Sequence, residues 1–201
     1  MKDEEKLSFY DEELNELGIA LRSDIHSKGL LHKVVHFWMV EVTSNEKWVY
    51  FQQRSYKKKD FPGLYDISAA GDIDSGEDME TAVRREVQEE IGIQIDSDRL
   101  KFIGSIREKL QVKNFVNNEL CQLYLYFAES PKFKIGEEVE NMVKISLDEM
   151  RKLTLDSAND IEAISVDGKT KIVLKSEDFC FHDKEYIQLI IDSIEKLLLI
   201  K

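Results

Sequence analysis

One segment constrains this chain more than any other: GDIDSGEDMETAVRREVQEEIGI, Gly71 to Ile93, which gathers two arginines and five glutamates between glycines. Asp78 has the side chain of a helix N-cap, and Gly92 suits the left-handed residue that ends a helix sharply, so the spacing predicts a helix from Met79 to Ile91. On a wheel of 100° per residue, Val83, Val87 and Ile91 form one apolar stripe. Glu86, Glu89 and Glu90 fall within an arc of about 100° beside that stripe. Like charges three or four positions apart cost an isolated helix roughly 0.2–0.5 kcal/mol per pair, so this face needs a positive partner. A hard divalent cation held by oxygen ligands is the natural candidate. Arg85, one position from Glu86 and four from Glu89, has the planar fork to fix a carboxylate in place.

The rest of the chain reads as strands around this helix. The β-branched and aromatic runs VVHFWMVEV, KWVYFQQR, LKFIGSIRE and LCQLYLYFAE predict strands, with TSNE turning between the first two. SLDEMRKL predicts a short helix opened by Ser146. The tail from Asp183 predicts a longer one, with Ile187, Ile190, Ile191, Ile194, Leu197 and Leu198 at helical spacing. Strands flanking a central helix, followed by more helices, predict an α/β sandwich around a mixed sheet. The chain's 201 residues, 42% of them hydrophobic, suffice for one packed domain over 1–201. Residues 1–30 read as a strand or loop extension and 183–201 as a C-terminal helix. No apolar run is long enough to span a membrane and no signal segment opens the chain, so the expected location is cytoplasmic. A formal charge of −12 argues against non-specific nucleic-acid binding. Cys121 and Cys180 lack metal-ligand spacing and read as buried, reduced thiols without chemistry.

The segment resembles the Nudix box, G-x5-E-x7-R-E-U-x-E-E-x-G-U with U aliphatic. Gly71, Glu77, Arg85, Glu86, Val87, Glu89, Glu90, Gly92 and Ile93 fill its defined positions. A chance match in a chain this long is on the order of one in a million. The resemblance implies an α/β/α sandwich around a mixed sheet, Mg2+ or Mn2+, and hydrolysis of a diphosphate in a nucleoside diphosphate derivative or similar small molecule. It implies that Glu86, Glu89 and Glu90 hold metal or activate water, that the Gly71 carbonyl contributes a ligand, and that Arg85 supports them. Glu119, in NNELC, is the candidate for a base supplied from outside the box.

Residues 18–150 are also similar to the Nudix subgroup related to isopentenyl diphosphate isomerase. In that subgroup Arg54 and Lys58 fall where a diphosphate is held, and His32 matches a metal-ligand histidine. His26, His32 and Asp72 are thereby candidates for a second metal site. The resemblance also exposes gaps. Ala70 and Asp72 stand where the isomerases use a cysteine and a metal-binding histidine, and Asn117 replaces one of two later glutamates. Ala70 cannot exchange a proton with carbon, and the box is complete, so hydrolysis is the favoured reading over isomerisation. A catalytically silent ligand-binding module is the third reading, disfavoured by the retained glutamates. The apolar C-terminal helix leaves a homodimer open.

Overall fold

A computed structural model describes residues 5–112, 115–155 and 159–199. The chain opens with a hairpin, β1 (Lys6–Tyr10) and β2 (Glu16–Leu21), and a short helix, α1 (Arg22–Lys28), closed by Gly29 at φ 62°. β1 joins the main sheet by pairing Phe9 with His32 and Tyr10 with Leu31. The extension expected over 1–30 is thus mostly paired structure.

The sheet is built on β3 (Leu31–Val42), a largely apolar strand buried on both faces. β3 pairs antiparallel with β4 (Lys47–Arg54) and β6 (Ala69–Asp72), and parallel with β8 (Phe115–Ala128) from His32↔Glu119 to Glu41↔Ala128. β7 (Leu100–Val112) forms a long antiparallel pair with β8, and the two-residue β5 (Tyr65–Asp66) pairs with β4. Beyond β4 come β9 (Val139–Ser146), β10 (Asp160–Ser165) and β11 (Lys171–Lys175). The mixed sheet predicted from sequence is present. Strands β9 to β11 and the N-terminal hairpin were not anticipated.

Helix α2 (Met79–Glu90) covers one face, burying Ala82, Val83 and Val87 against Val35, Phe37 and Met39. Asp78 caps it by accepting from the N–H groups of Glu80 and Thr81, and Gly92 follows at φ 68°. α3 (Leu147–Arg151) begins at Ser146, whose hydroxyl accepts from Glu149 N–H. Helix α4 (Lys184–Leu199) covers the opposite face, where Tyr186, Ile187, Ile190, Ile191 and Ile194 pack against Val34, Trp38, Val40 and Val49. Alternate residues of β3 therefore serve two cores, which is why its sequence shows no polar alternation. Each fully buried aliphatic or aromatic side chain contributes about 1.5–3 kcal/mol. The apolar stripe of α4 packs on this chain's own sheet. Among the described residues no helix is long and apolar enough to cross a membrane.

Candidate active site

Strand β6 runs into α2 through a tight loop, and Arg85 locks the two together. Its guanidinium donates to both oxygens of Glu77 at 3.0 and 2.8 Å, to the Asp72 carbonyl at 3.0 Å and to Glu86 Oε1 at 2.5 Å. Glu77 Oε2 also accepts from Asp74 N–H. Bidentate charge-assisted contacts of this kind set orientation as well as energy, and they hold Arg85 firmly in its charged form. A buried carboxylate at Glu86 needs such a partner.

Glu86 reaches the site because residue 71 has no side chain. A β-carbon on Gly71 would lie 2.0 Å from the Glu86 carboxyl carbon, so only glycine leaves room. The three helix glutamates diverge from this point. Glu86 lines a cavity at the sheet edge together with Gly71, Asp72 and Glu119. Glu90 is buried and turned to the sheet, where its Oε2 accepts from Ala70 N–H and Gln52 Nε2, both at 3.0 Å. Glu89 stays exposed, 3.9 Å from Arg85. The single arc inferred from the wheel is therefore split into a cavity-facing, a sheet-facing and a solvent-facing carboxylate.

These residues fit a divalent cation. The donors are all hard oxygens, Glu86 is pressed against the main chain at Gly71, and Glu89 stands one turn further along the same helix. Such an ion would be held in the cavity by Glu86 with the main chain of Gly71, Glu89 joining them by turning inward from solvent and Glu90 bracing the strand beneath.

Arg54 and Lys58 line the same cavity but are already paired. Arg54 contacts Asp60 and donates to Asp66 at 3.1 Å, while Lys58 pairs with Glu138. Arg22, which sequence inspection passed over, also lines the cavity and donates through Nε to Asp72 at 2.5 Å. His32 Nε2 lies 3.3 Å from the other Asp72 oxygen and His26 lies 3.9 Å from Asp72. Burial alone would raise Asp72; the two histidines and Arg22 hold it well below the ordinary carboxylate range. His26, His32 and Asp72 thus come together as expected, in a network that Arg22 already balances. Glu119 lies 3.9 Å from His32, and burial pushes its carboxyl up to about 7, with Asp72 and Glu108 adding to the effect against the pull of His32.

The deep wall comes from the far end of the chain. His182, just before α4, bridges Glu108 Oε2 at 2.9 Å and Asp66 Oδ1 at 3.2 Å, and its ring stacks on Tyr186 at 4.6 Å. Burial would lower His182, but the two carboxylates push it up to about 10. The Tyr186 hydroxyl accepts from Trp38 Nε1 and lies 2.8 Å from His36 Nδ1. No sequence spacing signals these contacts, since Glu108 and His182 lie 74 positions apart.

Residues 32–165 match the protein-family model of the NUDIX domain. An uncharacterised Nudix hydrolase of Clostridium acetobutylicum is 32% identical over 96% of this chain and 98% of its own length. An isopentenyl-diphosphate Delta-isomerase of Photorhabdus laumondii is 30% identical over 67% of this chain and 76% of its own. A crystal structure from Deinococcus radiodurans aligns with a TM-score of 0.59 at 20% identity, covering 74% of this chain and 87% of that one, and shows the same fold.

Proposed function

This chain belongs to the Nudix hydrolase family, and on that premise we propose that it uses a divalent cation to hydrolyse the phosphoanhydride bond of a nucleoside diphosphate derivative. The observation that carries the reading is Glu86, oriented by Arg85, seated against Gly71 and facing a cavity. A bound Mg2+ or Mn2+ supplies charge neutralisation for the diphosphate and a more acidic water. Glu86 with the Gly71 main chain would hold that ion, and Glu89 would turn in from solvent to complete its carboxylate ligands. Arg85 keeps Glu86 fixed, and Glu90 anchors Ala70 on the strand beside it. Glu119 takes the proton of the attacking water from the cavity side, and its raised pKa suits a base working near neutrality. Arg22, Arg54 and Lys58 surround the entering diphosphate with positive charge, Arg54 and Lys58 exchanging part of their carboxylate pairing for phosphate oxygens.

The isomerase reading draws on His26, His32 and Glu119 and on the similarity to the Photorhabdus isomerase. Ala70 has no proton to give or take at the cavity wall. The deep wall, with Asp66, Glu108 and His182, is ionic where an isoprenoid chain needs apolar contact. A polar leaving group is the better match. The test is product analysis on a panel of diphosphates, nucleotide sugars and dinucleotides beside isopentenyl diphosphate, with Mg2+, in oxygen-18 water. Label in a phosphate product supports the reading, and interconversion of isopentenyl and dimethylallyl diphosphate overturns it.

A further inference from the structure

We propose a second metal site, chemically distinct from the carboxylates of α2, in which His36, Glu108 and Cys121 bind Zn2+ or Co2+ at the deep wall of the cavity. The three side chains come from β3, β7 and β8, all are buried, and their ligand atoms lie within 4.8 Å of one another. Cys121 Sγ is 3.8 Å from Glu108 Oε2, close to the spacing of two ligands on one tetrahedral zinc. Nitrogen, oxygen and thiolate sulfur together select zinc or cobalt over magnesium.

The outer partners support this assignment. Metal-bound histidines nearly always give their other ring nitrogen to a hydrogen-bonding group. His36 has Nδ1 engaged by the Tyr186 hydroxyl, which leaves Nε2 to ligate. Glu108 is oriented by His182, which Asp66 fixes from the other side. One turn of chain at the start of α4 thus orients two of the three ligands. His36 and Glu108 also line the cavity, which leaves the fourth position accessible.

Binding breaks the S–H bond of Cys121. Its proton leaves to solvent, and the sulfur electron pair forms the metal bond. The thiolate and Glu108 then balance the divalent charge, while His182 remains balanced by Asp66. Cys121, expected from sequence to be inert, becomes a ligand.

Chelator-stripped protein titrated with Co2+ in excess Mg2+ provides the test. The expected result is one saturable equivalent with a near-ultraviolet thiolate-to-cobalt absorption, displaced by Zn2+. Cys121→Ser and His36→Gln should abolish this absorption while circular dichroism stays native. Tyr186→Phe should weaken binding about 10–100-fold. Cys180→Ser and Glu86→Gln should leave the band intact, which separates the site from the other cysteine and from the hydrolytic centre. A wild-type protein without the band, or a band that survives Cys121→Ser, overturns the proposal. If Cys121→Ser does not fold, the wild-type spectrum and His36→Gln decide.

Discussion

The Glu86 carboxyl carbon lies 2.0 Å from the position a β-carbon on Gly71 would take, so strand and helix meet here with no room for a side chain. Gly71→Ala must push Glu86 out of its contact with Arg85. The expected outcome is a loss of turnover of about 10²-fold or more, with a stability cost of roughly 1–3 kcal/mol from overpacking. Paired kinetics and denaturant melts check this; a variant with full turnover means that Glu86 has no fixed place in the reaction.

Arg85 holds Glu77, Glu86 and the Asp72 carbonyl at once. Lysine keeps the charge but cannot make this fork. Arg85→Lys should therefore destabilise the protein by roughly 1–3 kcal/mol and lower turnover more than it raises KM. Unchanged kinetics would show that one positive charge suffices.

Glu119 faces the cavity from β8, on the strand opposite Glu108. If it receives the proton from the attacking water, Glu119→Gln should reduce kcat by about 10²–10⁴-fold with KM nearly constant. A purely KM effect would make it a substrate contact instead.

His182 lends stability through its charged form. Its pKa is raised from 6.5 to about 10 in the fold, so this contribution is complete below pH 6.5 and is lost as pH rises through about 10. Chelator-stripped wild-type protein should lose on the order of 2–4 kcal/mol across that window. His182→Gln should start lower and lack this decline. Parallel slopes for the two proteins would contradict the bridge between Asp66 and Glu108.

Local chemistry was legible in the sequence and distant chemistry was not. Asp78, Gly92 and the Val83–Val87–Ile91 stripe announced α2 because capping and periodicity act within a few residues. The split among Glu86, Glu89 and Glu90 was hidden, since it depends on where β6 lies: Ala70 N–H and Gln52 draw Glu90 away, and Gly71 admits Glu86. The hairpin at Lys6–Leu21 escaped notice because Leu17, Ile19 and Leu21 are exposed, which blurs the usual alternation of apolar and polar faces. Arg54 and Lys58, expected from the resemblance to hold a diphosphate, line the cavity, but Asp60, Asp66 and Glu138, which pair with them, carry no local signature. Tyr186 and His36 lie 150 positions apart, so only the packing of α4 on β3 joins them.

The most direct test of metal-assisted hydrolysis at the α2 carboxylates is phosphate-product release against Mg2+ concentration for wild type and Glu86→Gln, with thermal midpoints taken on the same samples. Wild-type activity should vanish on chelation and return with Mg2+. Glu86→Gln should lose about 10²-fold or more in turnover at saturating Mg2+ while its midpoint stays within a few degrees of wild type. Near wild-type turnover in Glu86→Gln, or hydrolysis that persists after complete chelation, would contradict the account.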